Sequence, residues 1–260
     1  MYSIHTFSQG KIDGFYRGQG NATFVIGYGH EDNKNYLIGE VESNLNRTVT
    51  YLNLFASYGV LDDLDLQISL PYIESNENKD FQDIGFFSKY RFLNREHSNA
   101  KLELSFAIGF STPISDYAIG GLFDIGQQAT VLDTRAILHY QWKSNWFATL
   151  QSGYSHKFEE VPSSIPLVFK TGLASSKWYF DVFYDYQYAL GGIDYRGTPA
   201  PQNFRKLGVD YHKIGGTLYT TIYRNFGAYI NYANIFEGRN TFQGPSYSIG
   251  IVYNLKKTNK

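Results

Sequence analysis

Ser155 and His156 are the adjacent pair in this chain whose types suggest nucleophilic catalysis. A serine nucleophile needs a histidine base within hydrogen-bond reach, and that base needs a third group to orient it. Neighbours on a strand point to opposite faces, and no orienting acid is identifiable, so no catalytic residue is assigned. His97-Ser98 sits in an expected turn and is a weaker candidate. With no Cys in the chain, thiolate metal sites are excluded. Glu31-Asp32-Asn33-Lys34-Asn35 lacks the glycine and distal glutamate of a calcium loop. Gly18-Gln19-Gly20 is followed by no helix whose N-terminus could hold a phosphate. No metal and no cofactor is expected.

A second set of side chains recurs at alternate positions beside apolar neighbours. It comprises Asp65, Asp83, Lys89, Arg91, Lys101, Glu103, Asp133, Arg135, His139, Lys170, Asp181, Asp185, Lys206, Asp210 and His212. On strands, residues two apart share a face, and in a closed barrel that face would line the lumen. A ring of one sign would select ions; mixed signs favour pairing across strands. Asp181 and Asp185, facing Lys170 on the preceding strand, are the arrangement to watch.

The elements that must position these groups are strands. The last, Ser246–Leu255, alternates without a break: Tyr247, Ile249, Ile251, Tyr253 and Leu255 against Ser246, Ser248, Gly250, Val252 and Asn254. Period two marks a strand with one apolar side. The same pattern gives eleven further strands, at about 21–30, 47–58, 64–72, 83–92, 101–110, 132–142, 146–158, 164–173, 178–188, 203–222 and 227–236. A change of phase is expected in the tenth, at Gly215-Gly216, as a bulge or bend. Asp62-Asp63 reads as turn chemistry. Connections after even-numbered strands are mostly short; those after odd-numbered ones, including Glu237–Pro245, are mostly longer.

An even number of strands of about 9–11 residues, with short turns on one side and long loops on the other, describes a transmembrane β-barrel. Trp142, Trp146 and Trp178 all sit beside the short-turn side and, with Tyr253, form an expected periplasmic aromatic girdle. Composition agrees: Tyr 23, Phe 20 and Gly 25 against a single Met. No apolar run of about 18 residues offers a membrane helix. A soluble barrel or sandwich would show the same alternation, but not the two-sided loop asymmetry. The net charge of −1 gives no basis for a nucleic-acid partner. The chain divides into a lead-in, 1–20, periplasmic or lumen-occupying, a barrel, 21–255, and a basic tail, 256–260. Met1–Thr6 opens no apolar leader, so a bacterial outer-membrane location expects the signal peptide to have been removed.

Two sequence features resemble known patterns. Ser248, Gly250, Tyr253 and Leu255 resemble the C-terminal signal by which bacterial outer-membrane barrels are recognised, implying the barrel-assembly machinery as a partner during insertion. The segments YGVLDDLDLQISLPYI (58–73), DIGFFSKYRF (83–92) and LSFAIGFSTP (104–113) resemble an outer-membrane barrel family described as meta-pathway phenol-degradation proteins or transporters. That resemblance runs from about Gly20 to Leu255 and implies uptake of aromatic or other small hydrophobic compounds; it carries over no binding residues. The expectation is a 12-stranded antiparallel up-and-down barrel in the lipid bilayer. It would be no enzyme, passing or binding a small-molecule solute by diffusion through a charged lumen. Apolar solutes would instead bind near the outer loops and exit laterally between strands. A structural barrel with a filled lumen, or a lipid-modifying enzyme, is the alternative.

Overall fold

The computed structural model describes residues 12–76, 78–121, 123–195 and 204–257. Residues 1–11 of the expected lead-in, 258–260 of the tail and Asn203 of the expected tenth strand lie outside them.

Twelve antiparallel strands close into one barrel. They are β1 (Ala22–Asn33), β2 (Arg47–Leu61), β3 (Leu64–Ser75), β4 (Asp83–Glu96), β5 (Ala100–Pro113) and β6 (Val131–Trp142). Then follow β7 (Trp146–Lys157), β8 (Ser164–Ala174), β9 (Trp178–Ala189), β10 (Asp210–Tyr223), β11 (Phe226–Arg239) and β12 (Phe242–Leu255). Each strand pairs with the next in sequence, and β12 pairs back onto β1 from Ala22 opposite Leu255 to Glu31 opposite Ser246. Closure satisfies the ladder groups and removes sheet edges, the condition for strands to cross a bilayer.

The two faces are inverted relative to a water-soluble protein. Ile26, Ile251 and Val182 point outward and are 58%, 61% and 54% exposed, whereas Asp65, Lys89, Asp133 and Asp181 point inward and are buried. An outer surface tiled with so many large apolar side chains is stable against hydrocarbon, not water. Trp142, Trp146 and Trp178 face outward beside the inner turns, with Tyr140 edge-on to Trp142, Phe180 edge-on to Trp146, and Tyr253 tilted against Phe226.

The inner connections are tight: 62–63, 97–99, 143–145, 175–177 and 224–225. Asn145 and Arg224 take positive φ there, 68° and 49°. Most outer connections are longer, and two of them carry short strands of their own, Asn35–Ile38 with Val41–Glu42, and Asn78–Phe81. Many strands are longer than the ~9–11 residues of a tilted crossing; β2 has 15.

Three expectations need correction. The last outer connection is not a loop over Glu237–Pro245: the β11–β12 ladder runs to Ile235 opposite Gly244, and only Asn240 and Thr241 separate the strands. The tenth strand begins at Asp210, because Phe204–Lys206 forms a 3-10 turn instead. Finally, pairing is unbroken through Gly215-Gly216; the register shifts fall between His212 and Lys213 and between Thr221 and Tyr223.

Candidate functional site: a floored lumen

Residues 12–20 do not lie beneath the barrel. They run inside it, down to the inner rim, where Gly20 N–H donates to Gly59 O at 2.8 Å and Gln19 N–H to Asp62 Oδ1 at 2.9 Å. Gly18 and Gly20 both have φ of 78°, and this left-handed pair turns the chain out of the lumen and up into β1.

Phe15 is the apolar centre of the segment. It meets His139 edge-on at 4.6 Å and Phe147 at 5.1 Å, within a cluster holding Val25, Ala174, Tyr179, Tyr219 and Val252. Ile12 packs in a second cluster with Phe87, Ala107 and Ile137. At Gly14 a side chain has no room: a Cβ would lie 2.3 Å from His139 Nδ1.

Charge fixes the other side. Lys89 is fully buried, and its ammonium donates to Phe15 O at 2.5 Å, Asp13 O at 3.0 Å and Asp13 Oδ1 at 3.1 Å, with Asp65 Oδ2 at 3.9 Å. Arg17, 1% exposed, pairs with Asp13 at 2.9 Å, donates its backbone N–H to Asp65 at 3.1 Å and reaches Ser57 at 3.4 Å. Tyr16 donates to Ser105 at 2.8 Å, and its ring carries Lys89 at 4.3 Å and Arg91 at 4.6 Å. Burial works to raise the carboxyl of Asp13, which precedes the first strand; Lys89 and Arg17 outweigh it and leave Asp13 at about 2. Removing the Lys89 ammonium would leave the two carboxylates of Asp13 and Asp65 undercompensated, so the segment is costly to release from this side.

Above this floor lies a chamber of about 610 Å³. Asp133 accepts from Ser155 and pairs with Arg135 at 3.0 Å; Lys213 pairs with Asp185 at 2.9 Å, and Tyr211 donates to Asp185 at 3.4 Å. Asp83 lines the same chamber and accepts from Tyr117 at 2.8 Å. Deeper, Lys170 stands 3.7 Å from Asp181, which also accepts from Tyr179. Near the inner rim Arg91 pairs with Glu103 and Asp63, and Lys101 with Glu103 at 2.7 Å. His139 shares a hydrogen bond with Thr149 at 2.7 Å, its Nε2 buried without a partner. The charges sit as neighbouring opposites, not as a ring of one sign.

Three of the residues expected in the lumen are elsewhere. Lys206 stands on the outer 3-10 turn, half exposed, 3.3 Å from Glu160. His212 faces outward, hydrogen-bonded to Tyr184 at 2.6 Å and tilted against Tyr186 and Phe236. Asp210, two residues before it on the same face, accepts from Ala189 N–H at the strand's outer end. The inward residues of β10 are instead Tyr211, Lys213 and Thr217. Ser155 and His156 do point to opposite faces: His156 packs edge-on against Phe158 at 4.7 Å, so they form no catalytic pair. Asp13, Tyr16 and Arg17 were not among the expected site residues, and no local pattern in this non-helical stretch marks them.

No protein-family model and no curated protein sequence matches the chain. Solved structures do. The barrel is similar to an outer membrane channel from Pseudomonas putida F1, with a TM-score of 0.73 over 94% of this chain and 99% of that one, at 11% identity. It is also similar to the NanC porin, at a TM-score of 0.56 and 13% identity over 88% of this chain and 98% of that one. At such identities the likeness is one of fold. It bears on the barrel fold alone.

Proposed function

We propose that this protein is an outer-membrane channel that takes small solutes into the lumen from the outer side and is closed below by its own residues 12–20. The observation that carries the reading is the chamber of about 610 Å³ resting on that floor. A barrel filled for structure alone would have no need of a void lined by mixed charges, and a general diffusion pore would have no floor.

Exit has two routes. One is past the segment once it lifts. The other is sideways, and Pro71 supports it. Proline brings no N–H to the ladder, and β3 and β4 pair only from Leu64–Tyr90 to Ser69–Gly85 before the short strand Asn78–Phe81 takes over β3. Ile68 faces the lipid side yet lines the chamber together with Pro71 and Gly85. A side exit suits aromatic or other small hydrophobic compounds, the class implied by the motif resemblance.

Osmotic swelling of proteoliposomes tests this. In a small sugar, the intact chain should swell slowly and a chain lacking residues 1–17 quickly, both checked for folding by unheated gel migration. Fast and equal swelling would show that the segment is no floor. If neither swells, the floor route fails and only the side exit stands.

A further inference from the structure

A second, separate cavity of about 240 Å³ lies among the outer connections. Its walls come from parts of the chain far apart in sequence: Tyr36, Arg47 at the start of β2, Ile119 and Ile125 from the loop after β5, Phe204, and Phe242 at the start of β12. These walls are built. Asn240, buried in the last turn, accepts from Gly39 N–H and Tyr195 N–H, both at 3.0 Å, and donates to Gly208 O at 2.8 Å. One side chain thereby ties three outer connections together. Tyr36 lies 4.8 Å from Phe242 and 5.6 Å edge-on from Tyr195, and Tyr195 lies 5.5 Å from Phe204.

Into this cup, which Asp124, Gln127 and Arg205 also line, is set the guanidinium of Arg47. Arg47 lies over the Phe242 ring at 4.3 Å and donates Nη1–H to the Asp124 backbone oxygen at 3.3 Å; its Nε–H is buried without an acceptor. Among the described residues no carboxylate lies within ion-pair distance of it. The Asp124 side chain accepts instead from Gly120 N–H at 2.6 Å and Gly121 N–H at 3.1 Å, and Glu31 accepts from Asn33 at 3.3 Å. Arg47 as a whole is only partly buried, but its shielded Nε–H is an unused donor, and a guanidinium in that state gains most from a planar oxyanion. The volume is below the ~300–1,000 Å³ of drug-sized pockets.

We propose that this cavity is a binding site for a small carboxylate with one aromatic ring or a short alkyl chain, its carboxylate on Arg47 and its apolar body against Tyr36, Phe204 and Phe242. The site stands whether or not the lumen conducts.

The test is titration calorimetry of the folded, detergent-solubilised protein with benzoate, and with benzyl alcohol as the uncharged match. Benzoate should bind saturably and about tenfold or more tighter than benzyl alcohol, the gain of one charge-assisted contact. Arg47→Gln should remove that preference, Arg47→Lys should restore part of it, and Ile119→Trp, which fills the cup without touching the charge, should weaken both ligands. Equal affinity for the two ligands, or no saturable benzoate binding up to roughly 10 mM, overturns the proposal. So does unchanged benzoate binding in folded Ile119→Trp, which would place the ligand in the lumen.

Discussion

Lys89→Met should release the floor. Lys89 is fully buried and holds two carboxylates, Asp13 at 3.1 Å and Asp65 at 3.9 Å, while donating to the backbone oxygens of Asp13 and Phe15. Breaking a buried pair by removing one partner costs about 3–5 kcal/mol. Arg17 still faces Asp13 and Asp65 in the variant, so the lower end applies. About 3 kcal/mol raises the lifted population roughly a hundredfold. Trypsin reads that population, because the bond after Arg17 lies in the segment and Arg17 is only 1% exposed. When closing is faster than cleavage, the cutting rate follows the open fraction. Cleavage after Arg17 in the folded barrel should therefore accelerate roughly a hundredfold, while unheated gel migration still reports a closed barrel. An unchanged rate in a folded Lys89→Met barrel would refute the clamp, and with it the view that charge holds the segment.

Further expectations follow from the same geometry. Gly14→Ala places a methyl 2.3 Å from His139 Nδ1, so it should loosen the segment and raise conductance without disturbing the strands; a silent, trypsin-resistant variant would contradict the close approach. Phe15→Ala, stripped of its contacts with His139 and Phe147, should cost about 3–5 kcal/mol of docking, read by the same cleavage. Asp13, lowered from 3.8 to about 2, stabilises docking fully above its unfolded value and loses that contribution only as pH falls through about 2. Conductance should thus be flat from neutral pH down to about 4, and a steep rise near pH 5–6 would assign control to another group. Finally, lipids brominated near the headgroup should quench Trp142, Trp146 and Trp178 more strongly than lipids brominated at the chain ends, since indoles favour the interface.

The barrel was legible because period-two alternation is local: each strand announces its own faces, and β3 or β12 could be read without knowledge of its neighbours. Most of the lumen side chains followed from the same rule, Asp65, Lys89, Asp133 and Asp185 among them. The tenth strand failed for a physical reason. Polarity alone sends Asp210 and His212 inward, but Tyr211, whose hydroxyl reaches Asp185, and Lys213, paired with Asp185, take the inward face instead. The floor was illegible for a different reason. Residues 12–20 have no periodicity because their partners lie scattered around the barrel, Ser57, Asp65, Lys89, Ser105 and Gln151. The outer cup likewise joins residues as distant as Arg47 and Phe242, which only closure of β12 onto β1 brings together.

The most direct test is single-channel recording in a planar bilayer, comparing the intact chain with one lacking residues 1–17. The account predicts a nearly silent intact barrel and discrete, salt-dependent steps after truncation. Steps of equal size from both would contradict it, because the segment would then not be what closes the lumen.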